Sequence, residues 1–312
     1  MQIMSPCHYV VVMVRWGDKS FKRIKVSVEI IISFFLFLLL LTFFPVVAEE
    51  PLFADLEKRL IDDGIDADLV RGLYRHPAVK LEPSILAVNL KRSEKALNYN
   101  QYLTEATVLK AKHYLNQHQD SLEKAFEQFG VPPPIIVAIL TVETWLGTYT
   151  GKYPTINILS TMAVAEDPRV QERIFSFLEV ENNIASQKEL LPLLKQRVHR
   201  GYRELKSLLE YLRTTKLDPF YITGSVEGAV GIPQFMPSNI NRYGQDGNND
   251  SMIDLFNHAD AIASVAGFLQ AHKWNQARGV TEKKQVLLRY NRSNYYVDTV
   301  YSLAERLEKY SP

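Results

Sequence analysis

Val131-Pro-Pro-Pro-Ile-Ile-Val-Ala-Ile-Leu-Thr-Val-Glu-Thr-Trp-Leu-Gly147 decides how this chain is read. Prolines open the run and a glycine closes it, which suits a helix: proline is tolerated in the first turn and glycine at the C-terminal cap. Almost everything between is apolar, so the helix is expected to be buried. Glu143 is the only ionisable group in the run. A carboxyl on such a helix is costly unless it is neutral or well paired, and desolvation raises its pKa toward the range a general acid needs. Two readings of Glu143 stand side by side: a catalytic acid, or a structural Glu that caps a turn or pairs with a buried Arg.

Outward from this segment the chain reads as mainly α with a cleft. Thr104 to Phe129 carries apolar residues at helical spacing and stops at Gly130. Ser186-Gln-Lys-Glu189 has the form of a capping box opening a helix with Leu190, Leu194, Val198, Leu205, Leu209 and Leu212 on one side. Asp260 to His272 and Tyr296 to Leu307 read as further helices. Ile156 to Met162 and Pro219 to Thr223 are the only strand candidates. Gly147–Thr155, Pro219–Gly231 and Tyr243–Asn257 are the expected joints, being rich in Gly, Pro or Asn.

The N-terminal end bears on compartment. Arg15, Lys19, Lys22, Arg23 and Lys25 precede an apolar stretch from Ile30 to Phe44, and Pro45-Val46-Val47-Ala48 follows. This pattern is that of a cleavable signal peptide over residues 1–48, cut after Ala48. The rival reading is a retained inner-membrane anchor, since counting on to Ala48 approaches a spanning length. The only cysteine, Cys7, lies ahead of the apolar stretch. Residues 49–312 therefore hold no disulfide, no thiol nucleophile and no lipid-bearing cysteine. Removing five basic and two acidic groups from totals of 36 and 35 leaves 31 and 33, a net charge of −2. Nucleic acid, which wants a basic face, is not an expected partner.

Two further clusters carry chemistry. Gly224-Ser-Val-Glu-Gly-Ala-Val-Gly-Ile-Pro-Gln-Phe-Met-Pro-Ser238 combines glycines, which allow close backbone approach, with uncharged hydrogen-bonding groups at Ser225 and Gln234 and apolar Phe235 and Met236. That mix suits a sugar polymer, whose hydroxyls need partners and whose ring faces need flat apolar surfaces; a turn packed under a helix accounts for it equally well. Asp246-Gly-Asn-Asn-Asp-Ser-Met-Ile-Asp254 places oxygen ligands at alternate positions, Asp246, Asn248, Asp250 and Asp254, with the Met252 carbonyl available, as in a calcium loop. Ser251 stands where the sharp turn favours glycine, and Asn257 where a bidentate Glu is usual. A solvated Asx-rich turn is the alternative.

Taken together and in this order, these segments resemble the membrane-bound lytic transglycosylase B family, glycoside hydrolase family 103, from about Leu52 onward. Val142-Glu-Thr-x-x-Gly147 is similar to its catalytic motif, and Gly224-Ser-x-x-Gly-Ala-x-Gly-x-x-Gln-Phe-Met-Pro-Ser238 to its most specific signature. The Asp246 loop with the helix after it, and Tyr290-Asn-Arg-Ser-x-x-Tyr296, complete the match. The resemblance implies a lysozyme-like α core with additional helical elements around a glycan-binding cleft. It implies cleavage of the β-1,4 MurNAc–GlcNAc bond of peptidoglycan with a 1,6-anhydro-MurNAc product, Glu143 acting as acid and then base. Ser225, Gln234, Tyr290 and Tyr296 match substrate-binding positions. Asp246, Asn248, Asp250, Met252 and Asp260 match ligands of a structural Ca2+, and no organic cofactor is implied. Glycan strands are the expected ligand of a monomer in the periplasm, with cell-wall synthesis or secretion complexes as candidate recruiters. Muramidase hydrolysis on the same fold and a non-catalytic peptidoglycan-binding scaffold are the alternatives. Glu227 departs from the small residue usual at its position. The chain is also longer than the family pattern between Pro168 and Leu217, where a charged helix reads as a lid, a docking face or a solvated closing helix.

Overall fold

The three consecutive prolines do what their position demands. In the computed structural model, which describes residues 9–16, 20–27, 51–91, 98–180, 183–215 and 217–309, Pro132 is extended and Pro133 and Pro134 occupy the first helical positions. No backbone N–H is needed there. Thirteen α-helices are described: α1 (Ala54–Asp62), α2 (Ala67–Tyr74), α3 (Pro83–Lys91), α4 (Glu105–Gln117), α5 (Gln119–Phe129), α6 (Pro133–Thr144), α7 (Thr155–Ala163), α8 (Pro168–Leu178), α9 (Ile184–Thr214), α10 (Pro237–Tyr243), α11 (His258–Ala271), α12 (Val280–Tyr290) and α13 (Asn294–Glu308). The only strands among the described residues are two antiparallel pairs, β1 (Tyr9–Trp16) with β2 (Ser20–Ser27) and β3 (Tyr153–Pro154) with β4 (Thr223–Gly224).

The chain divides into two compact units, Met1–Pro51 and Leu52–Pro312. In the first, the segment read as the basic part of a leader forms the β1–β2 hairpin, with Tyr9 opposite Ser27 and Trp16 opposite Ser20. Its β-branched Val10, Val11 and Val12 favour that state. The apolar stretch Ile30–Phe44 and the expected cut after Ala48 lie outside the described residues.

In the second unit α6 is the hub. It packs against α13, α4, α5 and α11, and Ile136, Val137, Ala138, Ile139 and Leu140 are wholly buried. A helix apolar on all sides has to be enclosed in this way. The long α9 lies on α7 and α10. Its Leu194, Val198, Tyr202, Leu205, Leu209 and Leu212 are buried at helical spacing. The extra length is thus a helix that buries one side in the core of this unit and leaves Lys188, Glu189, Lys195 and Gln196 exposed on the other.

Several sequence expectations are corrected. The pattern from Thr104 to Phe129 is two helices, broken where His118 leaves helical geometry and stacks on His258. Ile156 to Met162 is helix α7 rather than a strand. All nine residues of α7 are buried, so no polar face betrays its period. The cap of α9 is Asn183, whose side chain accepts from the Ser186 N–H at 3.0 Å, so Ser186 sits inside the helix and not at its cap. Helix α6 stops at Thr144, three residues before the expected glycine cap.

Candidate active site

All of α6 is buried except Pro133 at its start and Glu143 near its end. Glu143 is half-buried and opens into a cleft of about 730 Å³. After Thr144 the chain makes a left-handed turn: Trp145, Leu146 and Gly147 all have positive φ, at 52°, 61° and 90°. For Trp145 and Leu146 this costs roughly 1–2 kcal/mol each, a local strain of the kind found beside functional groups. Thr144 holds the turn. Its buried hydroxyl donates to the Ile232 carbonyl at 2.8 Å and accepts from the Gly147 N–H at 3.0 Å. The Glu-Thr-x-x-Gly motif therefore divides its labour: Glu143 faces the cleft, and Thr144 and Gly147 fix where it points.

Ile232 belongs to the opposite wall, Gly224–Met236. This wall doubles back on itself, with Val230 and Phe235 exchanging backbone hydrogen bonds at 2.8 and 3.1 Å. Gly231 has φ 71°, and a Cβ there would lie 2.5 Å from the Leu255 Cβ; only glycine fits. Ser225 accepts at its hydroxyl from the N–H groups of Glu227 (3.4 Å) and Ala229 (3.3 Å). Those contacts occupy lone pairs and leave the Ser225 proton to donate into the cleft. Gln234 donates from its side-chain amide to the carbonyls of Thr150 (3.1 Å) and Gly231 (2.9 Å). Its carbonyl oxygen remains an acceptor for the cleft. Both side chains line the cavity with Glu143. The turn contacts use some atoms of these two side chains and leave others facing the cavity.

The third wall is aromatic. Tyr290 and Tyr296 line the cleft with rings nearly parallel (9°) at 6.4 Å. The Tyr290 hydroxyl donates to the Pro233 carbonyl at 2.6 Å. The Tyr296 hydroxyl is buried without a well-formed hydrogen bond; the group it faces is Glu143. Burial, and after it the Glu143 charge, pushes both phenols well above their ordinary value. They stay protonated and bring no charge of their own.

Glu227, the departure from the family pattern, is paired with Arg200 at 2.7 Å and Arg197 at 3.3 Å, both from α9. Glu227 and Arg200 line the same cavity as Glu143.

Residues 48–283 match the protein family described as the Transglycosylase SLT domain. The chain belongs to that family. It is 32% identical over 174 residues to the membrane-bound lytic murein transglycosylase B of Escherichia coli, a match that covers 56% of this chain and 40% of that relative. The crystal structure of the soluble lytic transglycosylase SltB1 from Pseudomonas aeruginosa superposes with a TM-score of 0.66 at 25% identity, over 83% of this chain and 99% of that one. The fold also matches the lytic transglycosylase Slt35 from Escherichia coli in complex with calcium, with a TM-score of 0.65 at 23% identity over 85% and 95% of the two chains.

In this SLT-domain chain the Asp246–Asp260 loop is tied up by its own amides. Asp246 accepts from the N–H groups of Asp250 (3.1 Å) and Ser251 (2.7 Å). The Asp250 carboxylate accepts from the Met252 N–H at 2.8 Å and the Asn248 side-chain amide at 2.9 Å. The wholly buried Asp260 accepts from Gly247 (2.8 Å) and Asp254 (2.7 Å). Asp254 turns to the Phe256 N–H at 2.9 Å, away from that set. Burial, with Asp246 among the lesser causes, raises the Asp260 carboxyl, and burial with Asp250 raises Asp254. The donors are all oxygens, the type a hard divalent cation takes. Ser251 has φ 68°, as the sharp turn requires. The loop reaches the cleft through the Ile232 N–H, which donates to the Leu255 carbonyl at 2.8 Å.

On the far side of the Trp145–Gly147 turn, His118 stacks on His258 at 4.5 Å, and the Tyr114 hydroxyl lies 2.8 Å from His258 Nδ1. Burial lowers both histidines, and the His258 charge lowers His118 further.

Sequence reasoning missed the cleft residues Tyr99, Tyr102 and Arg200. Tyr99 and Tyr102 sit on a short 3-10 turn, Tyr99–Leu103, too brief to show a period; aromatics interleaved with Asn100 and Gln101 were the available signal. Arg200 is hidden among the many charges of α9.

Proposed function

We propose that this protein is a lytic transglycosylase that cuts the β-1,4 bond between N-acetylmuramic acid and N-acetylglucosamine in peptidoglycan and leaves a 1,6-anhydro-muramic end. The observation that carries this reading is the state of the two cleft carboxylates. Glu143 is presented into the cleft by an apolar helix, whereas Glu227 is bound by two arginines. Ordinary glycosidases divide the work between two carboxylates. One cleft acid outside the arginine pair suits a reaction in which the substrate supplies its own nucleophile. Glu143, protonated, gives its proton to the leaving glycosidic oxygen. As a carboxylate it then accepts the proton of the muramic 6-hydroxyl as that oxygen closes the ring. Proton inventory balances, no water is consumed, and Glu143 is returned to its starting state.

Other groups position rather than react. Tyr296 faces the Glu143 carboxyl, and Thr144 anchors the backbone beside it. Ser225 donates to, and Gln234 accepts from, sugar hydroxyls or the acetamido group, and Tyr290 with Tyr296 forms an apolar wall for a ring face. Asp246, Asn248, Asp250, Asp260 and the Met252 carbonyl would hold a structural Ca2+, whose charge would relieve the crowded acids and stiffen the loop behind Ile232. The Slt35 structure, a protein of the same fold in complex with calcium, supports that assignment. The basic and apolar N-terminal pattern supports export to the periplasm, with peptidoglycan strands as the ligand of a monomer.

The test is digestion of purified peptidoglycan by wild type and Glu143→Gln, with products weighed by mass spectrometry. Anhydro-muropeptides from wild type alone are expected. Reducing ends one water heavier would make the protein a muramidase, and no soluble product from either would leave a binding scaffold.

A further inference from the structure

Among the described residues lining the cleft, Arg200 is the only cation. A neutral sugar polymer needs none. Arg200 and Arg197 converge on one carboxylate oxygen, Glu227 Oε2, so two positive charges meet one negative, and the cluster keeps a net charge of +1. Arg200 is also under-used as a donor. Its Nη1 is on Glu227 and its Nη2 reaches only the Met236 thioether, at 3.4 Å. Sulfur is a weak acceptor, one that a carboxylate readily replaces. The guanidinium is planar and suits bidentate capture of such a group, and Glu227 and α9 hold it in place. Its side chain is 33% exposed and that of Glu227 23%, which leaves the pair accessible yet partly shielded from water.

We propose that Arg200, oriented by Glu227 and backed by Arg197, is a specificity-determining residue that pairs with a carboxylate carried on the sugar strand. This rests on the glycan reading above and deepens it: the cleft distinguishes an acidic strand from a neutral one of the same backbone. Two sources supply that carboxylate. One is the lactyl group of a muramic acid without a peptide stem, and the other is an acidic residue of an attached stem.

The test uses the full chain with Glu143→Gln, so that ligands survive, and measures binding by calorimetry. Three tetrasaccharides serve as probes: neutral chitotetraose, a GlcNAc–MurNAc tetrasaccharide without stems, and the same with peptide stems. Adding Arg200→Gln should weaken at least one acidic ligand about tenfold, the scale of a charged hydrogen bond at a partly exposed site. Chitotetraose should change less than about twofold, and Arg200→Lys should recover part of the loss through charge alone. Loss on the stem-free ligand assigns the lactyl carboxylate; loss confined to the stem-bearing one assigns the peptide. Equal loss on all three with both variants would make the cluster a structural tie between α9 and the Ser225 turn and overturn the proposal, as would no loss on any. The digestion assay separates the two failures. Anhydro products with binding indifferent to Arg200 remove only this inference, whereas their absence removes the glycan reading as well.

Discussion

Carboxylates are used in opposite ways in two regions of this molecule. On α6, Glu143 is the only ionisable group of a buried, mostly apolar helix, and it opens into the cleft. In the Asp246–Asp260 loop, the side chains of Asp246, Asp250 and Asp260 each accept from loop amides, and Asp260 is wholly buried. The same chemical group lines a cleft in one place and builds a loop in the other. What separates them is what each group faces: a cleft in one case, the loop's own amides in the other.

The largest expected effect follows from the first half of that contrast. Glu143→Gln should lower the rate of anhydro-product formation by ~10²–10⁴-fold, the range for loss of a general acid–base group, while its melting temperature stays close to that of wild type. A variant that loses its fold along with its activity would erase the distinction between the two regions. Asp260→Ala should do the reverse. It strands the half-buried N–H groups of Gly247 and Asp254, whose bonds to a carboxylate are each worth roughly 1–3 kcal/mol, so thermal unfolding should shift down by several degrees. Anhydro product should still form at temperatures where the variant is folded.

The histidine pair behind the Trp145–Gly147 turn sharpens the comparison through pH. Burial depresses both histidines in the folded state, so the unfolded chain binds protons more readily. The resulting penalty is absent above the ordinary value of about 6.5, grows as pH falls through it, and is complete below the depressed folded values. His118→Gln should therefore show a smaller loss of melting temperature than wild type between about pH 7.5 and 5, a difference of a few degrees at most. An identical slope would show that the loop's acids dominate acid unfolding. The smallest effect belongs to Ser251→Gly. Relieving a left-handed serine (φ 68°) should stabilise by up to about 1 kcal/mol, visible as a modest rise in denaturation midpoint with activity unchanged.

Legibility differed along the chain for physical reasons. The apolar run Val131–Gly147 was readable because prolines, unbroken apolarity and one acid leave few alternatives. Glu143, Ser225, Gln234, Tyr290 and Tyr296 line one cleft, an arrangement that the family resemblance implied and spacing alone did not. Helix α7 was not readable, because burial on every side erases amphipathic period. The break at His118 has no Gly or Pro to mark it; a stacking partner 140 residues away, His258, accompanies it. The register of the α6 terminus was also missed, since the left-handed residues there are Trp145 and Leu146, which the Thr144 bonds to Ile232 and Gly147 hold in place.

By itself, then, the sequence determined a helical chain with one acid on its most apolar helix, an oxygen-rich loop and a glycine-rich wall, because helix periodicity, proline placement and turn chemistry are local. Only the tertiary structure decided what surrounds each cleft carboxylate. Glu227 lies in the signature motif itself, yet it is paired with Arg197 and Arg200, 30 and 27 residues earlier on α9. Such pairings depend on where helices pack, and packing is a property of the whole core rather than of any stretch within it.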